Sequence, residues 1–210
     1  MNELLTFGIL SFTAFFTLIN PLGTMPIFMT MTSDLTPAQR NHTARKATIV
    51  AFFTILFFAF TGQIMFKFFG ISVNSFRVAG GIIFFMIGMD MLQARLGKVK
   101  VSDSEVRKYV NDISITPLAI PMICGPGAIT NAIVLMEDAT TAGLKTVLII
   151  SIFLVIVLTY FLLYSSSKII KLLGETGNNV LMRIMGLIVM VIAVEFFFSG
   201  LKPIVAEMIK

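Results

Sequence analysis

No residue between Lys145 and Lys168 carries a charge. The intervening stretch, TVLIISIFLVIVLTYFLLYSSS, is apolar almost throughout. It exceeds the ~20 residues that one helical crossing of a bilayer requires. Hydrocarbon offers a backbone no water to bond with, so the run must satisfy its own N–H and C=O groups as a helix. It is not alone. The chain is 57% hydrophobic and 13% charged, whereas a soluble domain carries about a quarter charged residues. With a mean hydropathy of +0.94, the sequence reads as an integral membrane protein.

Six apolar segments can be drawn, over 4–31, 47–69, 74–93, 113–136, 146–169 and 180–200. The start, MNELL, lacks the basic region of a secretory signal, so the first segment is expected to be retained. Cys124 is the single cysteine, which excludes an internal disulfide. The formal charge of +5 comes from residues scattered in short loops. That pattern fits an anionic leaflet, and no nucleic-acid partner is expected. Eleven of the sixteen Lys and Arg fall in the loops after the first, third and fifth segments. Positive charge stays cytoplasmic, which predicts an inner-membrane protein with both termini outside.

Two segments are interrupted by proline and glycine: NPLGTMP from Asn20 to Pro26, and PMICGPG from Pro121 to Gly127. As one straight helix, Leu4 to Met31 would be roughly 42 Å long, against a ~30 Å hydrocarbon core. It must tilt, bend or break, and the prolines mark the place. The halves also match elsewhere. FRVAGGIIFFMIGMD (76–90) resembles MRIMGLIVMVIAVEF (182–196), setting Arg77 over Arg183 and Gly80 over Gly186, with Gly70 and Gly174 ahead of them. Three crossings per half require the second copy to insert upside down. The predicted fold is therefore all-α: six transmembrane helices as two inverted three-helix repeats, 1–93 and 113–210, with helices one and four broken. Residues 94–112 form a polar cytoplasmic linker.

Proline kinks are common in membrane helices, but a matched pair in inverted halves points to a site. Unwound backbone survives at membrane depth only inside protein or beside a wet cavity. Each helix resumes inside the membrane, so two electropositive N-termini are expected to approach one another near mid-depth. The amides of Gly23, Thr24, Gly127 and Ala128 are the expected donors to an anionic group. Pro21 and Pro126 suit first helical positions. Pro26, Pro121 and Gly125 shape the unwound backbone, while Asn20, Thr24, Thr130 and Asn131 would meet a solute's other polar atoms. Facing half-helices also build channel selectivity elements, so a passive small-solute channel stays open.

Within the spans, Glu195 and Asp90 are the candidates to carry a coupling proton. Glu195 stands about 9 Å from the outer end of its helix by rise, with Lys202 as an alternative pairing partner. Asp90 lies near the cytoplasmic boundary, where an interfacial charge is the plainer reading. Gln63 and Asn74 are expected to join helices. No nucleotide-binding loop, HExxH, GxSxG or His/Cys cluster occurs, so neither enzyme chemistry, cofactor nor metal is expected.

INPLGTMPIF, RVAGGIIFFMIGMDML and PLAIPMICGPGAIT resemble the signature stretches of the MarC family of bacterial and archaeal membrane proteins. The resemblance covers nearly the whole chain, including its length and six-span layout. It carries over Asn20, Pro21, Gly23, Pro26, Pro121, Gly125, Pro126 and Gly127. Archaeal relatives are regarded as transporters of glycine and alanine. The resemblance thus implies a transporter for a small neutral amino acid, and the expectation here is a secondary transporter of such a zwitterion coupled to a proton or sodium gradient, with homo-oligomerisation open. A non-transporting accessory protein is the remaining alternative.

Overall fold

The computed structural model describes residues 3–93 and 112–209. The proposed linker, 94–112, lies outside these apart from Asp112. Among the described residues every element is helical: α1 (Glu3–Ile19), α2 (Pro21–Met31), α3 (Pro37–Phe69), α4 (Val73–Leu92), α5 (Ser114–Ile123) and α6 (Pro126–Asp138). They are followed by α7 (Ala142–Ile169) and α8 (Thr176–Met208). Four of these, together with the α1–α2 stretch, are individually long and apolar enough to cross a bilayer: Glu3–Met31, α3, α4, α7 and α8. The α5–α6 pair makes a sixth crossing if its two bent parts are one span.

Local chemistry sets the boundaries. Thr36 and Gln39 form a reciprocal cap at the start of α3, with Pro37 at its first position. α3 ends at Gly70 and α7 gives way to α8 at Gly174. Both glycines adopt a positive φ, 64° and 68°, that other residues take only at a cost. In α5 the backbone is extended at Thr116 and Ile120, the residues preceding Pro117 and Pro121. A proline ring pushes its predecessor out of the helical region, so α5 is irregular where its prolines require. α5 and α6 then meet at an angle of 56°.

Packing buries this irregular backbone at the centre. Leu118, Ala119, Cys124, Ala128, Ala132 and Ile133 of α5–α6 are fully buried, as are Ile27 and Phe28 of α2 to within 1%. That placement meets the condition for irregular backbone at membrane depth. On the periphery, Phe53, Ile64, Phe68, Phe161 and Val191 are all more than half exposed. An outer surface this apolar suits hydrocarbon and not water.

The helices touch through small residues. A Cβ on Gly88 would stand 2.9 Å from the Gly186 carbonyl, and one on Gly186 would stand 2.8 Å from that of Gly88. Gly81 meets Ala193 and Phe197 in the same way, and Gly200 meets Asn74 and Arg77. Residue numbers fall along α8 as they rise along α4, so the two helices are antiparallel and almost backbone to backbone. α7 lies beside both α1 and α3. Ser151 Oγ donates to the Gly8 carbonyl at 3.4 Å, and the Phe52 and Phe153 rings meet edge-on at 5.8 Å. The Gln63 amide donates to the Glu137 carboxylate, tying α3 to α6.

Candidate binding cavity at the helix breaks

Asn20 separates α1 from α2. Its φ and ψ of 46° and 64° place it in the left-handed region, where Asn is among the better tolerated residues. The chain therefore leaves helical geometry one residue before Pro21, which takes the first position of α2. Pro21 has no N–H to offer the Thr17 carbonyl four residues back. Thr24 partly repairs the break, since its hydroxyl reaches the carbonyls of Asn20 (3.1 Å) and Ile19 (3.4 Å). Pro26 sits inside α2, and the Thr30 hydroxyl donates to its carbonyl.

Beside this break is a cavity of about 40 Å³, where ~10–15 Å³ admits one water molecule. The α1–α2 stretch contributes Thr17, Leu18, Ile19, Asn20, Gly23, Thr24 and Ile27. Phe84, Ile87 and Met91 of α4, Met122 of α5, and Val189 and Ile192 of α8 complete it. Of the residues expected from sequence, then, Asn20, Gly23 and Thr24 line the cavity. Pro21 and Pro26 are buried and do not line it.

The second break is adjacent but walled off. A Cβ on Gly127 would lie 3.0 Å from Leu18 Cδ2 and 3.3 Å from the Phe84 ring, and one on Gly125 would strike that ring. Leu18 and Phe84 also line the cavity. They form a partition between the first break and the start of α6. Pro126, Gly127, Ala128 and Thr130 are buried, Asn131 is partly buried, and none of them lines the cavity. Pro121 lies in α5, one residue before Met122.

The two helix starts differ in a way the sequence expectation did not distinguish. At α2 the Gly23 amide donates to Asn20 Oδ1 at 3.2 Å and the Thr24 amide to the Asn20 carbonyl at 3.0 Å. Neither of these expected donors is free: the Asn20 side chain caps the Gly23 amide, and the Asn20 carbonyl takes the Thr24 amide as the first helical bond. At α6 the cap position is Gly125, which has no side chain, and no side-chain cap forms. The open electropositive end is that of α6. Buried polar atoms without partners occur on both elements: Asn20 Nδ2 at the first break, and Thr130 Oγ1 and Asn131 Nδ2 in the early turns of α6.

The charged candidates lie elsewhere. Glu195 and Asp90 are both exposed, and neither lines the cavity, although each follows a lining residue, Ile192 and Ile87 respectively, by three positions. Gln63 joins helices as expected, and the Asn74 carbonyl packs against Gly200. No group of His, Cys, Asp and Glu among the described residues is arranged to hold a metal. Sequence reasoning missed Leu18, Phe84 and the apolar lining of α4 and α8. The signal was present, since Gly80, Phe84 and Gly88 follow one another at intervals of four on the buried face of α4.

Spans of this length and composition, packed around buried irregular helices, define an integral multi-pass membrane protein. The model of the MarC family of integral membrane proteins matches residues 5–205. A UPF0056 membrane protein of Pyrococcus horikoshii is 38% identical over 202 residues, covering 96% of this chain and 97% of the relative. The UPF0056 membrane protein YvbG of Bacillus subtilis is 40% identical over 194 residues, covering 91% and 92%. No solved structure matches. The chain belongs to the MarC family.

Proposed function

We propose that this protein is a secondary transporter moving a small neutral amino acid, glycine or alanine, across the inner membrane. In this reading residues 1–93 and 113–210 are oppositely inserted halves, and the substrate sits at the two helix breaks. One observation carries the proposal: a small cavity at the first break, lined by Asn20 with its unbonded Nδ2, and separated only by Leu18 and Phe84 from the uncapped start of α6. Buried polar groups without partners are costly, at about 1–3 kcal/mol each, and a ligand that bonds them relieves that cost.

The chemistry matches a zwitterion. The α6 amides and Asn20 Nδ2 donate, which suits a carboxylate. Thr17 lines the cavity, and its carbonyl, which has no Pro21 N–H to accept from, is assigned to the ammonium group in this reading. The small volume excludes bulky apolar drugs from this conformation and leaves little room for a side chain. For the carboxylate to reach the α6 amides, Leu18 and Phe84 must part, and we assign that movement to substrate entry. Coupling to a proton or sodium belongs to the same proposal. Glu195 and Asp90 are the proton candidates, acting through the α4–α8 pair and not by contact with substrate.

Exchange in proteoliposomes tests this. Glycine uptake should saturate and should accelerate several-fold when the vesicles are preloaded with unlabelled glycine. Uptake without that acceleration would indicate a channel, and no uptake of any small amino acid would indicate an accessory role. Either result removes the carrier reading.

A further inference from the structure

Two hollows follow one another along the seam between α3 and α7. One, of about 190 Å³, lies at the helix ends and is lined by Arg40, Asn41, Tyr164, Ser167 and Lys168, among others. The next, of about 280 Å³, begins at Arg45 and Tyr160 and is walled by Phe52, Phe53, Phe153 and Ile156. The Tyr160 hydroxyl donates to Asn41 Oδ1 at 2.8 Å. Each hollow contributes one partner to that bond, so the two are neighbours along one groove.

Their chemistry is complementary. Arg40, Arg45 and Lys168 bring three cations, and no carboxylate lines either hollow among the described residues. Arg40 donates through Nε to the Thr32 carbonyl at 2.8 Å and through Nη2 to the Ser33 carbonyl at 2.7 Å. Those bonds fix the guanidinium without neutralising it, and it keeps donors to spare. Arg45 and Lys168 are exposed. The inner hollow is otherwise apolar, and its Phe53 and Phe153 rings are 64% and 51% exposed. A free phosphate would satisfy the cations and leave the aromatic walls bare. A plain acyl chain would do the reverse.

We propose that this seam binds one anionic phospholipid. Its phosphate lies among Arg40, Arg45 and Lys168, with the Ser167 and Tyr164 hydroxyls nearby, and one acyl chain lies over the exposed faces of Phe53 and Phe153. Charge-assisted bonds from arginine hold the phosphate, and basic pockets between helices at a membrane surface suit anionic headgroups. From Asn41 to Phe53, α3 advances roughly 18 Å, which accommodates a headgroup and much of one chain. This site is separate from the cavity at the helix breaks and does not depend on what is transported.

Native mass spectrometry of the detergent-solubilised full chain provides the test, with phosphatidylglycerol and phosphatidylcholine of identical acyl chains. Phosphatidylglycerol adducts should be retained several-fold more. The Arg45→Gln/Lys168→Gln double variant should fall to the phosphatidylcholine level with an unchanged Tm, since both side chains are exposed. Phe153→Ala should weaken retention of both lipids. Equal retention of the two lipids, or a preference unchanged in the double variant, would overturn the proposal. So would displacement by millimolar inorganic phosphate, which would mark a simple anion site. A dimer whose interface covers the seam would assign it to a second copy of the chain.

Discussion

Gly23 and Asn20 act as one unit. A Cβ at position 23 would collide with Asn20 Nδ2, so Gly23→Ala must push the capping amide away. Losing such a cap costs about 0.5–2 kcal/mol. Asn20→Ala loses the same bond directly. Each single variant should therefore lower stability by a similar amount, and the double variant by little more than either one, a non-additivity that unfolding in detergent would measure. Fully additive losses would mean that the two positions act independently. For Gly127→Leu the expectation is different: the added side chain fills the space against Leu18 and Phe84, and glycine exchange should be lost while membrane insertion is kept. Glu195→Gln separates coupling from binding. Under proton coupling it should abolish accumulation but preserve exchange, and unchanged uphill transport would clear Glu195 of that role. The motif residues of the first break were legible because proline and asparagine announce themselves. Phe84 was not, since a phenylalanine among 21 in an apolar chain looks the same whether it faces lipid or a cavity.

Among the elements, α4 and α8 depend on each other most closely. At Gly88 and Gly186 the obstacle to a side chain is the partner's backbone, which cannot rotate away. Gly186→Leu should force the helices apart and destabilise the protein by about 1–3 kcal/mol or more. Gly8→Ala is the contrast. Its Cβ would meet the Val147 methyl at 3.1 Å, a side-chain end that can shift, so its Tm should barely move. Helix existence was readable from the apolar runs, and the ends at Gly70 and Gly174 from their glycines. The shape of the second break was not readable. PMICGPG suggested a counterpart of NPLGTMP, yet Thr116 and Ile120 extend the irregular region well ahead of Pro121, because Pro117 acts on the chain too. Nor does the spacing of prolines reveal that Asn20 turns back over its own helix while Gly125 cannot.

For the whole molecule, charge predicts orientation. Arg40 and Lys168 line the same hollow, so the α2–α3 turn and the end of α7 share one face. If that face is cytoplasmic, a cysteine at Thr140, at the start of α7, should be reached by an impermeant thiol reagent on intact cells. One at His42 should not, both being placed in a Cys124→Ser background. Labelling of His42→Cys alone would reverse the orientation. The bare start of α6 carries a consequence for how such a chain can vary. The φ of −83° at Gly125 would suit any residue. A Cβ there, however, would lie 2.6 Å from the Pro121 carbonyl oxygen and collide with Phe84. No serine, threonine or aspartate fits at the one place where it could quiet those amides. Crowding thus keeps that helix start bare of a side-chain cap, and under the transport proposal the substrate's carboxylate is the acceptor that replaces one.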